Sequence, residues 1–398
     1  MELLLRRAFS PMDPTPAVCP DWLATLLREA GGVVPFRQFM DWALFHPDHG
    51  YYGAGNVRIG PRGDFATSPS LGSDFASLLA QQVVDLLRAM PDRLETVSIV
   101  EVGPGEGDLA ADLVAALATL APQLLSRCEL VLVERSPVLR QRQQQRLQGT
   151  SCVSVRWCSL EELAASPVNG IVLAHELLDA LPVDRVVQRH GELQLQTVLL
   201  QPDGLLRWDA QPMPVGLARS IAEADLPLPP DGVDEAWCSE WHTSYPHWIR
   251  QLSNAVSEGV LLVIDYALEA ERYYSARRSE GTLMAYRGGA AALDPLALPG
   301  QQDLTSHVCI EALNNAARAD GWTLLDRKRQ GEALLALGLA ERLHALQSLP
   351  PGQLAEVFQR REALLRLVDP AGLGNFRWLL YGRGFASEGL SLRSEPGR

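Results

Sequence analysis

Between residues 98 and 173 the chain alternates short apolar runs with longer amphipathic stretches. Residues 98–102, 129–133, 153–157 and 170–173 are dominated by Val, Ile and Leu and bounded by turn formers, as buried strands require. Residues 108–120, 137–147 and 159–165, lying between them, carry apolar positions at helical spacing. This alternation predicts a mostly parallel sheet with helices on both faces. A fifth parallel strand is expected at 260–265, a helix at 309–319, a strand at 322–327, two further helices and a last strand at 376–381. The rhythm breaks at 186–209, where apolar positions alternate singly and turns fall at His190-Gly191 and Pro202-Asp203-Gly204, predicting antiparallel strands. Residues 211–232 are proline-rich and read as irregular, 239–257 as a helix, and 267–303 as irregular again.

Upstream, amphipathic helices are expected at 21–30 and 35–45, then a Gly-, Pro-, Asp- and Ser-rich stretch at 48–72, then a helix at 73–90. A loop as long as 48–72 is uncommon unless it is functional. The resulting organisation is an N-terminal helical and loop segment (1–90), a first sheet portion (91–184), an inserted α+β segment (185–257), a second sheet portion with an inserted loop at 267–307 (258–385), and a flexible tail (386–398).

Composition narrows the function classes. A net charge of -13 and a pI near 5.1 argue against a general nucleic-acid binder. The six cysteines contain no CxxC pair, so no zinc or redox motif is indicated. The N-terminal apolar run precedes Arg6 and Arg7, the reverse of a secretory leader, and no stretch reaches the length of a membrane span. A cytoplasmic protein with reduced thiols is expected.

The chemistry starts at SIVEVGPGEGD (98–108), where a strand runs into glycines and then a helix. Glycines there let a ligand approach backbone N–H groups. Taken alone, the turn reads equally as a tight strand-to-helix connection. A dinucleotide fingerprint starting at Gly103 would place its third glycine at 108, where this chain has Asp. Glu101 before the turn suits a cationic amino group and repels a pyrophosphate, and Glu134 at the end of the second strand suits two ribose hydroxyls. Together with Gly103, Gly105 and Gly107 they favour S-adenosyl-L-methionine. Ser159 and Leu160 stand where an adenine is usually flanked, although Ser159 with Glu162 also reads as a helix capping box.

The fourth strand ends in AHELLDALPV (174–183), and here the sequence resembles the MidA-like family of methyltransferases, which includes a mitochondrial complex I assembly factor. HPDHGYY (46–52), IGPRGDF (59–65), GTL (281–283), Tyr286-Arg287 and the blocks from Asp294 to Val308 resemble that family's other signatures. The resemblance spans about residues 35 to 385. It implies a class I methyltransferase fold, Rossmann-like with a seven-stranded sheet. It also implies symmetric arginine dimethylation of an NADH-dehydrogenase-like core subunit, and a loop carrying Asp64 that closes over the cofactor. The chain departs from the family at His175, where Asn is usual, at Leu177 and Leu178, where aromatic residues are usual, and at Gly288 and Gly289, one of which replaces a histidine. These departures bear on the substrate more than on the cofactor.

Methyl transfer from a sulfonium needs mainly an aligned nucleophile and a dry site. Carboxylates that grip a guanidinium would align it. Glu176 and Asp179, just beyond the fourth strand, are the candidates, with His307 as an orienting or proton-accepting partner and His175 beside the cofactor. Asp179 also reads as a turn cap before Pro182, and His307 as a structural hydrogen-bonder. Asp265 and Tyr266, ending the fifth strand, are further lining candidates. His46 and His49 lack metal-ligand spacing with any carboxylate, and no metal is expected. The competing readings are a non-catalytic assembly chaperone and a methyltransferase for another protein or small molecule.

Overall fold

The computed structural model describes residues 17–384 and 390–394, except 61, 62, 64, 65, 92, 95, 234 and 293. Seven strands form the central sheet: β1 (Val97–Val102), β2 (Cys128–Val133), β3 (Ser154–Cys158), β4 (Val168–His175), β5 (Val256–Asp265), β6 (Thr323–Arg329) and β7 (Arg377–Arg383). Their order is β6-β7-β5-β4-β1-β2-β3. β7 runs antiparallel to both its neighbours, and the other observed pairings are parallel. This is the Rossmann-like sheet expected from the strand-helix alternation.

The strands read as continuous apolar runs because both faces are covered. Ile99, Leu130, Leu132, Ile171, Leu173, Leu262 and Ile264 face one core with the helices Asp74–Ala89 and Asp108–Leu120. Val100, Val131, Val172, Leu261 and Val263 alternate with them and face the other, under the helices Ser244–Ala255 and Ile310–Ala319.

The inserted segment forms its own antiparallel sheet from Asp184–Arg189, Glu192–Leu200, Leu206–Gln211 and Cys238–Trp241, joined by Val33–Pro35 from the N-terminal segment. Glu240 pins it in place. Its carboxylate, fully buried, accepts from Arg185 Nε at 3.2 Å, Thr282 N at 2.8 Å, Thr282 Oγ1 at 2.9 Å and Tyr273 Oη at 3.2 Å.

Four expectations are corrected. Residues 211–232 contain a helix, Val215–Glu223, which the flanking prolines hide because Pro214 is its N-cap. The start of the helix expected at 239–257 is instead the strand Cys238–Trp241, paired with Asp184–Arg189. The 267–303 stretch holds the helix Ala270–Tyr273 and a small sheet of Met284–Arg287, Ala290–Ala292 and Asp303–Thr305, too short to show periodicity. The tail is packed over 390–394: Leu390 and Leu392 are buried, and Arg393 grips Asp85 with two bonds of 2.8 Å. Residues 385–389 and 395–398 lie outside the described residues. No helix among the described residues is long and apolar enough to cross a membrane.

Candidate active site

A cavity of about 900 Å³ opens over the C-terminal ends of β1, β2, β3 and β4. Ligands bind at this end of open α/β sheets. The turn after β1 is glycine because its backbone demands it: φ is +68° at Gly103, +54° at Gly105 and +85° at Gly107, all left-handed. Side chains there would also collide, since a Cβ at Gly103 would sit 2.7 Å from Leu177 Cδ1 and one at Gly105 2.8 Å from Ile59 Cδ1. Gly107 then caps the helix Asp108–Leu120, whose N-terminus faces the cavity through Asp108.

Two carboxylates flank the turn. Glu101 is buried, its Oε2 has no hydrogen-bond partner among the described residues, and burial, with the Asp108 charge, pushes its pKa up to about 8. An unpartnered buried carboxylate lining a cavity suits a cation. Glu134 directly follows β2, with Oε1 accepting from Ser136 N at 2.8 Å and Oε2 from Gln143 Nε2 at 3.1 Å. Each oxygen keeps a lone pair for a ligand hydroxyl. Ser159 caps the helix Leu160–Ala164 in a full capping box with Glu162, and Ser159 and Leu160 also line the cavity.

The N-terminal segment closes the near wall. Arg142 donates to Glu106 Oε1 at 2.9 Å and to Gly55 O at 2.8 Å, and Ser136 Oγ donates to Gly53 O at 3.0 Å. These bonds hold the loop bearing Ile59 against the glycine turn. Asp64, expected in this loop, lies outside the described residues.

The far wall is acidic and aromatic. Glu176, Asp179 and Asp303 line it with Tyr52, Tyr266 and Tyr286. Glu176 has φ +48°, a strained conformation for a residue with a side chain, and Ser68 N donates to its Oε1 at 3.2 Å. Burial first, then the charges of Asp265 and Asp303, push its pKa well up. Asp179 is raised by burial and by Asp265, Asp303 and Glu176. Asp265 lies behind the wall, its carboxylate accepting from Leu178 N at 2.9 Å, Asp179 N at 3.3 Å and Tyr266 N at 2.8 Å. Burial still pushes the Asp265 pKa up to about 7, and these three bonds oppose that rise. Tyr52 Oη donates to Asp303 Oδ1 at 2.9 Å.

His175 lines the cavity; its Nε2 has no hydrogen-bond partner among the described residues and lies 3.5 Å from Glu176 Oε1, and burial lowers its pKa to about 3, so the ring is neutral. His307 is placed differently from expectation. The wall includes Thr305 and Tyr266 but not His307, whose backbone N–H donates to Thr282 Oγ1 at 3.0 Å and whose ring packs on Tyr266 at 5.7 Å between centroids. Its pKa falls to about 4 through burial and Arg278. It packs against the wall residue Tyr266 instead of lining the cavity itself. Sequence reasoning missed Tyr52, Asp303 and Gln143. No group of metal-ligating side chains is present among the described residues.

Comparison with known proteins matches residues 78–327 to a family model described as "Putative S-adenosyl-L-methionine-dependent methyltransferase". A Burkholderia thailandensis protein solved with bound S-adenosyl-homocysteine aligns with a TM-score of 0.80 and 30% identity, covering 92% of each chain. The chain belongs to this methyltransferase family. The enzyme is also similar to the mitochondrial protein arginine methyltransferase NDUFAF7 homolog of Drosophila melanogaster, at 27% identity over 87% of this chain and 81% of that one. The Danio rerio NDUFAF7 matches at 26% over 80% and 76%. The cofactor of the present chain is S-adenosyl-L-methionine. The lone Glu101 carboxylate, the Cβ-free turn and the open lone pairs of Glu134 fit that molecule. The cytoplasmic expectation is overturned, because these relatives are named as mitochondrial. Reduced thiols do not separate one reducing compartment from another.

Proposed function

We propose that the methyltransferase acts on arginine side chains of a protein. The carrying observation is the far wall: Glu176, Asp179 and Asp303 with three tyrosines, in the same cavity as Glu101 and Glu134. A guanidinium is planar, permanently charged and able to bond carboxylates in a fork while its faces stack on aromatic rings. Lined this way, the cavity suits that group better than a neutral acceptor.

In this reading Glu101 receives the cofactor's ammonium, Gly103 and Gly105 admit it to the backbone, and Glu134 takes the ribose hydroxyls. Ser159, Leu160 and His175 complete the cofactor side. S-adenosylmethionine supplies the methyl group on a sulfonium. The bound guanidinium's charge draws Glu176 and Asp179 into the carboxylate form, in which they hold it, orient one nitrogen and, with basicity raised by burial, accept the proton it loses. His307 holds the Tyr266 ring. The inserted segment 185–257 and the N-terminal segment frame the acceptor's approach.

The acceptor protein in this proposal is a core subunit of an NADH-dehydrogenase-like complex, supported by the names of the curated relatives and the shared sequence blocks. Incubation with methyl-labelled cofactor and isolated subunits should place label on arginine. Label confined to other residue types, or absent from every subunit, would refute it.

A further inference from the structure

Gln143 is fully buried in the helix Pro137–Arg146, an otherwise polar segment. Its amide makes three hydrogen bonds. Nε2 donates to Gly105 O at 2.8 Å and to Glu134 Oε2 at 3.1 Å, while Oε1 accepts from Trp157 Nε1 at 3.1 Å. The partners settle which end is nitrogen, since two are acceptors and the indole only donates. Its Cγ also lies 3.3 Å from where a Cβ on Gly107 would stand.

We propose that Gln143 is the positioning residue of the cofactor site, tying the glycine turn, the ribose-facing carboxylate and the end of β3 into one rigid unit. This rests on Glu134 as the ribose acceptor. The logic is stoichiometric. A neutral amide supplies two donors and one acceptor at a point where the Gly105 carbonyl and the Glu134 carboxylate both need donors and Trp157 needs an acceptor. Of the common side chains only Gln and Asn carry that set, and Asn is one methylene too short to span all three partners from the same backbone position. Holding Glu134 through Oε2, while Ser136 N holds Oε1, fixes the carboxylate plane. Bonding Gly105 O at the same time fixes the distance between turn and carboxylate, which one nucleoside-bearing ligand must bridge.

The test uses the full-length protein and S-adenosylmethionine titrated by calorimetry at pH 8 and pH 5.5, with Gln143→Glu, Gln143→Met and Glu134→Ala. Every affinity is compared with the unmutated protein at the same pH. Gln143→Glu should lose about tenfold to a hundredfold at pH 8, where it presents a carboxylate to Glu134 and to a carbonyl. Most of that loss should return at pH 5.5, as the new carboxyl gains a proton to donate. Gln143→Met should lose a similar factor at both pH values with no recovery. A merely space-filling role would not give this pH-selective rescue. Melting curves identify any variant that fails to fold, and Gln143→Asn then takes its place, with a loss that does not depend on pH. Gln143→Glu within twofold of the unmutated protein at pH 8, or a loss equal at both pH values, overturns the proposal if Glu134→Ala binds weakly. Unchanged binding by Glu134→Ala overturns instead the ribose role on which it rests.

Discussion

Glu101 yields the sharpest quantitative expectation. Its carboxyl is buried, its Oε2 has no hydrogen-bond partner among the described residues, and burial with the Asp108 charge pushes its pKa up to about 8. The cofactor's ammonium needs the carboxylate, so below that pH binding must release a proton. Affinity therefore falls about tenfold for each unit of pH below 8, or about 1.4 kcal/mol. Between pH 8 and pH 6 the net loss is about 25-fold, about 1.9 kcal/mol, because at pH 8 Glu101 and the cofactor's ammonium are each only half ionised. Above pH 8 the cofactor's own α-amino group, with a pKa of about 8, loses its charge and affinity falls again. The expected profile is a maximum near pH 8. Calorimetric titration in buffers of differing ionisation enthalpy reads both the affinity and the proton released. Glu101→Gln should bind more weakly at pH 8 and lose the acid limb. A flat profile between pH 6 and 8, or an acid limb that survives in Glu101→Gln, would refute the assignment of this carboxylate to the ammonium. The same group sets a stability trend in the ligand-free fold. Its folded pKa lies above its ordinary value of 4.5, so it lowers stability as pH rises from about 4.5 to about 8. Glu101→Gln should make that decline shallower, Glu176, Asp179 and Asp265 keeping their own shares.

Other expectations follow from the far wall, the inserted sheet and the tail. Glu176→Gln should cut methyl transfer by about a hundredfold or more while leaving cofactor affinity within a few fold, read by comparing kcat with the calorimetric Kd. Glu240→Ala strands the buried Arg185 guanidinium and should cost about 3–5 kcal/mol in urea unfolding. A loss under about 1 kcal/mol would show that the inserted sheet is held elsewhere. Truncation after residue 389 removes buried Leu390 and Leu392 and should lower stability by about 3–6 kcal/mol, visible as a drop in Tm. A frayed tail would cost almost nothing.

The central strands β1 to β5, their covering helices and the glycine turn were legible in the chain because each is written in local periodicity and in residues a few positions apart. The cofactor-side carboxylates were legible for the same reason, since Glu101 and Glu134 sit where strands end. The far wall was legible only in part. Glu176 and Asp179 follow β4, but Tyr52 and Asp303 meet across 251 positions of chain, and no pattern within either segment announces the contact. Sequence pointed to His307, yet Asp303 lines the cavity and His307 backs Tyr266. Gln143 was hidden among three other glutamines of its helix, and the tail looked polar enough to fray. Sequence alone determined the sheet, the turn and the kind of cofactor, because backbone geometry and strand-end chemistry are local. The tertiary structure decided which distant side chains share the cavity and which carboxyls hold protons, because burial and convergence of charge arise only when the segments are packed together.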